Sequence, residues 1–220
     1  MKVCVTGGTG FVGSAVVTTL LSEGFEVHAL ARSNSIVKLP NHPNIEVHAG
    51  EALDLAAVQK ALSGCDALVH LVGGRRAKMK ESGLSYNEID VESARIAVEA
   101  MQSESIKRII LLSAGAIGNS EYVQCKAKAE KLVRDAELDW TILRPSFILG
   151  TGQQWPRIMT PMLWLSGFVP GHFGEVAKLA QNITRDELAK TISYSLKHRE
   201  SVKEIYDVPA IRQLRRSKVI

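Results

Sequence analysis

Short apolar runs alternate with amphipathic stretches from the first residues of the chain onward. Val3, Cys4 and Val5 read as a buried strand, and Ala15, Val16, Val17, Leu20 and Leu21 then repeat at helical spacing until Gly24. Glu26–Leu30 predicts a second strand, and Ile45–Ala49 a third after the Pro- and Asn-rich loop from Pro40 to Asn44. Leu55–Leu62 predicts a short helix capped by Asp54. Ala67–Val72 predicts a fourth strand, apolar on both faces apart from His70. Gly73 to Gly83 is basic and glycine-flanked, with Arg75, Arg76, Lys78 and Lys80, and reads as a loop. A long helix over about Asn87–Gln102 follows, with Ile89, Ile96, Ala97 and Ala100 on its apolar side. Arg108–Ser113 is the fifth predicted strand, Tyr122–Ala136 another helix, and Trp140–Arg144 the sixth strand. Strands and helices that alternate through short connections predict an α/β fold, a doubly wound parallel sheet covered on both faces.

The texture changes after Gly150. Gln153–Phe173 carries Trp155, Met159, Met162, Trp164 and Phe168, broken by Pro156, Pro161 and Pro170. This division predicts a nucleotide-binding core over residues 1–150 and a small C-terminal substrate lobe over 151–220, packed on the same domain. Trp155, Met159 and Trp164 are expected to line an apolar substrate pocket, or else to close the small lobe. Asn182–His198 reads as one more helix, with Thr184 as its cap and Glu187 in its first turn.

Composition narrows the class. With 45% hydrophobic and 23% charged residues the chain reads as a globular domain, and a net charge of +4 is too small to argue for nucleic acid. Arg212, Arg215, Arg216 and Lys218 form the one dense basic run and read as a solvated tail. Cys4, Cys65 and Cys125 are odd in number and unclustered, which favours a reducing, cytoplasmic setting. A strand at the very start leaves no room for a signal peptide, and no apolar run approaches a membrane span. None of the six histidines, His28, His42, His48, His70, His172 and His198, shows metal spacing such as His-x-x-x-His, so no metal site is expected.

Chemistry enters with the segment between the first strand and the first helix, Thr6-Gly-Gly-Thr-Gly-Phe-Val-Gly13. Glycines let backbone approach an anion closely, and the first amides of a helix point at it. Thr6, Gly7, Gly8, Thr9, Gly10, Phe11, Val12 and Gly13 are therefore candidates for holding a dinucleotide. At the end of the second strand a carboxylate would accept from a free ribose 2′-hydroxyl. Ala31 stands there, followed by Arg32 and Ser33, a pair suited to a 2′-phosphate, so NADP(H) is favoured over NAD(H) unless Arg32 is an ordinary surface residue. Glu51 and Ala52 would lie beside the adenine, with Glu51 either an acceptor for its amine or an ordinary loop glutamate. Leu71, Val72 and Gly73 would pass under the ribose as backbone.

Ser113 ends the fifth strand, and Tyr122 and Lys126 lie four apart on one face of the next helix. The ammonium of Lys126 would favour the tyrosinate, letting Tyr122 pass a proton to a substrate carbonyl, with Ser113 bonded to the same oxygen.

Together with Leu111-Leu-Ser-Ala114, Tyr122-Val-Gln-Cys-Lys126, Leu143-Arg-Pro-Ser146 and Asp90-Val-Glu-Ser-Ala-Arg95, the glycine segment resembles the short-chain dehydrogenase/reductases of the atypical or extended type. The likeness covers roughly residues 1–150. It is nearest the branch that includes the complex I accessory subunit and bacterial proteins labelled as sugar-nucleotide epimerases. The resemblance implies a Rossmann fold, a catalytic Ser113, Tyr122 and Lys126, a ribose contact from Lys126, and packing of Pro145 and Ser146 against the nicotinamide. Two positions depart from the pattern: Asp90 stands where many active relatives carry asparagine, and Ala31 where NAD-specific epimerases carry aspartate. The expected function is reduction of a small, fairly apolar carbonyl or oxidation of the alcohol. A non-catalytic nucleotide sensor or scaffold is the alternative, and a sugar-nucleotide epimerase a third, disfavoured by the short stretch after Gly150.

Overall fold

The structure, a computed structural model, describes residues 1–74, 83–115, 120–150, 179, 181–198 and 202–216. Seven parallel strands form its centre in the order β3-β2-β1-β4-β5-β6-β9. They are β1 (Lys2–Thr6), β2 (Glu26–Ala31), β3 (Ile45–Ala49), β4 (Ala67–His70), β5 (Arg108–Leu112), β6 (Asp139–Arg144) and β9 (Glu204–Asp207). The order reverses direction between β1 and β4, the place where the strand ends splay apart and open a crevice. β7 (Phe147–Leu149) and β8 (Asn182–Thr184) make a separate two-stranded parallel ribbon.

Apolar side chains on the two faces of the sheet build two cores. On one face α1 (Phe11–Ser22) and α5 (Arg185–Lys197) cover Val3, Val5, Val27, Val69 and Ile110. On the other, α2 (Leu55–Leu62) and α3 (Ser93–Ser103) cover Cys4, Leu68, Ile109 and Ile142. α4 (Glu121–Asp135) lies beside α3 and sends Val133 into that second core. Its position against β6 is fixed by a paired bond, Arg144 Nε to Glu130 Oε1 at 2.9 Å and Nη2 to Oε2 at 2.5 Å.

α1 starts earlier than its apolar spacing predicts, at Phe11, and takes Gly13 into its interior. Glycine is intrinsically a poorer helix former than alanine by roughly 1 kcal/mol, but here a Cβ would run into the backbone of Gly7 and Gly8. Burying Val16, Val17 and Leu20 completely contributes about 1.5–3 kcal/mol each, so packing decides the helix. The predicted α2 and its cap occur as expected, with Asp54 accepting from the amides of Ala56 and Ala57 at 3.0 and 3.3 Å.

The C-terminal part departs from its sequence pattern. The basic run does not form a solvated tail over its described length: α6 (Val208–Arg216) buries Val208 and Ile211, and Arg212 bonds Gln181 and the Asn182 carbonyl. Val208 and Ile211, with Ala210 and Leu214 partly buried beside Ile211, anchor the segment, and β9 before it adds a strand to the main sheet through β6. The helix expected from Asn182 begins at Arg185, after β8, with Thr184 and Glu187 forming a reciprocal capping box. The whole aromatic stretch Gln153–Phe173, including Trp155, Met159 and Trp164, lies outside the described residues, as does the basic loop from Arg75 to Lys80.

Candidate functional site

Above the β1–β4 crevice lies a cleft of about 960 Å³. Its floor is the turn from β1 into α1. Gly7 has φ +77, and a Cβ there would sit 2.9 Å from the Leu71 carbonyl group. A Cβ on Gly13 would lie 2.1 Å from the Gly7 oxygen. Only glycine lets this turn close against β4 and α1 at once, which leaves backbone bare to the cleft. Gly10 caps α1 without a side-chain bond, and no acidic residue occupies the first turn of the helix. An anion is favoured there by the helix dipole and by the amides directed at it.

Gly7, Thr9, Gly10, Phe11, Val12 and Gly13 line the cleft, as do Leu71, Gly73, Pro145 and Ser146. Three other expected contacts sit one layer below. Thr6 is buried and donates through Oγ1 to His70 Nδ1 at 2.9 Å. Gly8 packs toward Val17, and the Val72 carbonyl accepts from Lys126. Arg32 and Ser33, at the start of a 3₁₀ turn, and Glu51 and Ala52, after β3, lie at the β2–β3 end beyond the lining. Lys38, which closes the 3₁₀ turn, does line the cleft. Sequence reasoning passed over it because a lysine in a short turn carries no periodicity. Its signal is a second cation shortly after Arg32.

Ser113, Tyr122 and Lys126 line the same cleft. β5 ends at Leu112, and the next backbone amide, of Ser113, donates to the Leu143 carbonyl at 2.8 Å, holding the serine at the strand end. Its hydroxyl is buried with no hydrogen-bond partner among the described residues, although burying an unbonded hydroxyl costs roughly 1–3 kcal/mol. Ser120 caps α4 by accepting from the Val123 amide at 3.4 Å. Tyr122 and Lys126 follow on the first turns, and the Tyr122 ring leans against Tyr86 at 5.4 Å between centroids.

Lys126 is 5% exposed and donates to the carbonyls of Val72 at 3.1 Å and Leu112 at 3.2 Å. Asp90 Oδ1 lies 2.8 Å from the same nitrogen, an ion pair rather than an aligned hydrogen bond. Asp90 comes from a π-helical segment, Asn87–Glu92, that precedes α3 and is itself a common mark of functional positions. Its carboxylate neutralises the charge that would favour a tyrosinate at Tyr122. Beneath this pair, His70 Nε2 lies 3.2 Å from Ser93 Oγ. The Ser93 hydrogen goes to the Ile89 carbonyl, so Nε2 carries the proton and Nδ1 accepts from Thr6. Burial, aided by the Lys126 charge, pushes the His70 pKa down to about 3 and keeps the ring neutral.

Glycine turn, crevice and parallel sheet define an α/β protein of the Rossmann type with a cleft at the switch point of its strand order. The chain belongs to the NAD(P)H-binding family, whose pattern matches residues 7–199. It is 30% identical over 182 residues to a 3-beta-hydroxysteroid dehydrogenase of Mycolicibacterium neoaurum, covering 70% of this chain and 49% of that one. A ceramide reductase of Caulobacter vibrioides is 25% identical over 194 residues, or 87% of this chain and 60% of the relative. The chain thus spans about half to three-fifths of the length of these relatives. The oxidoreductase ylbE of Lactococcus lactis shares the fold with a TM-score of 0.71 and 20% identity, over 98% of this chain and 97% of that one. The NAD+ complex of WbmH from Bordetella bronchiseptica gives 0.68 and 19%, over 99% and 80%. Among the described residues no helix is long and apolar enough to cross a membrane.

Proposed function

We propose that this protein is an NADP(H)-dependent oxidoreductase that interconverts a small, fairly apolar carbonyl and its alcohol. The observation that carries the reading is the buried, unbonded hydroxyl of Ser113 in the cleft it shares with Tyr122 and Lys126. A donor kept dry and unpaired in this way is a ready partner for a substrate oxygen. The glycine floor fits a dinucleotide, since Gly7 and Gly13 let the turn pack against Leu71 and against its own backbone and so bring the bare start of α1 to the cleft. Gly7 to Gly13 would hold the phosphates, Leu71 and Gly73 the ribose side, and Pro145 and Ser146 the nicotinamide end. When bound, the nicotinamide supplies or accepts hydride. Within the chain, Ser113 orients the substrate oxygen and Tyr122 delivers or removes the proton on it. Lys126 braces the wall through Val72 and Leu112 and faces the ribose position.

Preference for NADP(H) rests on Arg32 and Lys38 near the end of β2, with Ala31 where an acid would repel a 2′-phosphate. The apolar character of the substrate is supported by Trp155, Met159 and Trp164 in the sequence. It is supported too by the printed names of relatives, which include a hydroxysteroid dehydrogenase, a ceramide reductase and a 2-alkyl-3-oxoalkanoate reductase. A second reading, a nucleotide-binding sensor without turnover, is favoured by one observation: Asp90 already satisfies the Lys126 charge.

The test is NADPH oxidation against a panel of ketones and aldehydes, with NADPH affinity measured in parallel. Tyr122→Phe is expected to keep the affinity and lose at least about 100-fold in turnover. Unchanged turnover in that variant sinks the enzymatic role of Tyr122, and tight NADPH binding with no substrate turned over selects the sensor. Arg32→Ala should weaken NADPH by about tenfold or more while sparing NADH, and equal losses overturn the cofactor assignment.

A further inference from the structure

Away from the cleft, on the α2 side of the sheet edge, three side chains from neighbouring strands converge. β2 and β3 run parallel with His28 paired opposite Glu46 and Leu30 opposite His48. Side chains two apart share a face, so Glu46 and His48 stand together beside His28. One ligating atom from each of the three lies within 4.8 Å of the others. His28 Nε2 is 3.4 Å from Glu46 Oε2, and His48 Nε2 is 3.3 Å from Glu46 Oε1. The two imidazoles are 8% and 9% exposed and their rings lie 4.8 Å apart, whereas the Glu46 side chain is 64% exposed and free to turn.

The hydrogen bonding of this cluster is incomplete. His28 Nδ1 lies 3.0 Å from the Ala61 carbonyl, which can only accept, so Nδ1 carries a proton and Nε2 is the nitrogen turned toward Glu46. His48 Nε2 is buried and, apart from its 3.3 Å approach to Glu46 Oε1, has no hydrogen-bond partner among the described residues. Two buried nitrogens and a carboxylate within 4.8 Å of one another form a donor set that a cation would complete.

We propose that His28, Glu46 and His48 bind a divalent transition ion of the zinc class, with water completing a tetrahedron. Two imidazoles and a carboxylate are a common donor set for such an ion, and metal–ligand distances of about 2.0–2.1 Å set ligands about 3.3 Å apart on a tetrahedron's edge. Each nitrogen already stands near that distance from one Glu46 oxygen, His28 from Oε2 and His48 from Oε1, and a turn of the exposed Glu46 side chain would present a single oxygen to both. The Ala61 carbonyl is the outer partner that metal-bound histidines ordinarily have, and it ties the site to α2. Lys60, also on α2, adds positive charge nearby, and the Glu46 carboxylate offsets it. Bound there, the ion clamps the outermost strand β3 to β2. The sequence hides such a site because its ligands sit on adjacent strands rather than in one spaced motif.

Tag-free protein titrated with zinc ion, followed by calorimetry and thermal melting, tests the proposal. One equivalent is expected to bind in the micromolar range and to raise the melting temperature by on the order of 5 °C at a hundredfold excess over Kd. Cobalt(II) should give the visible bands of a tetrahedral nitrogen and oxygen site. Glu46→Gln, at an exposed position, should weaken zinc at least tenfold without changing NADPH affinity, and His48→Gln should abolish the thermal shift. No zinc binding, binding undiminished in Glu46→Gln, or a thiolate-to-cobalt charge-transfer band from the cysteines overturns it.

Discussion

At the scale of single residues, the contact between Asp90 and Lys126 sets what the cleft can do. Both groups are almost fully buried, 2.8 Å apart. Removing one charge from such a pair leaves the other uncompensated, at a cost of about 3–5 kcal/mol. The same change restores an unshielded ammonium beside Tyr122. Asp90→Asn therefore acts in opposite directions on the two quantities. Stability to urea should fall by about 3 kcal/mol, softened by the amide oxygen, which still accepts from the ammonium. Turnover per folded molecule should rise by about tenfold, the effect of roughly 1.4 kcal/mol in the transition state. If turnover instead falls in step with the folded fraction, Asp90 is a structural partner of Lys126 and has no hold on the proton transfer.

Among the elements, legibility follows how much of an element's information is local. β3 and α2 match their sequence bounds because each carries its own strand pattern or cap, Asp54 in the case of α2. α1 was readable except for its first turn, where Gly13 looks like loop but is held in the helix by its contact with Gly7 and Gly8. β7, β8 and β9 are three or four residues long, with too few positions to show alternation. They exist through their neighbours: β9 along β6, and β7 along β8. α6 was hidden under its charge, since Val208 and Ile211 are a thin apolar signal beside four basic residues. The candidate site shows the same division. Its glycine turn and Ser113, Tyr122 and Lys126 could be read because each is tied to a strand end or a helix spacing. Lys38 and the hold of Asp90 on Lys126 could not, because both depend on where distant segments meet.

For the molecule as a whole, the neutral His70 ties the site to global stability. It bridges Thr6, at the end of β1, to Ser93 at the start of α3, so it joins the sheet to the helix layer beneath the cleft. Its folded pKa is about 3 against an ordinary value of 6.5, chiefly through burial and then through the Lys126 charge. A depressed folded pKa means that the unfolded chain takes up the proton first. The stabilisation is complete above pH 6.5 and is lost as pH falls from there toward 3, by up to about 1.4 kcal/mol per unit. Over that window the loss approaches roughly 5 kcal/mol, comparable to the whole stability of many domains. Burial also lowers the His48 pKa, which adds a smaller slope of the same sign. The wild-type chain should therefore lose stability between pH 6.5 and 5, before most carboxylates titrate. His70→Gln, which can keep one bond to Thr6 or Ser93, should be less stable at pH 7.5 by about 1–3 kcal/mol yet lose much less on acidification. Urea midpoints at half-unit pH steps measure both slopes. Parallel slopes would show that His70 already takes up its proton in the folded state, and that the Thr6–His70–Ser93 bridge does not couple the cleft floor to acid stability.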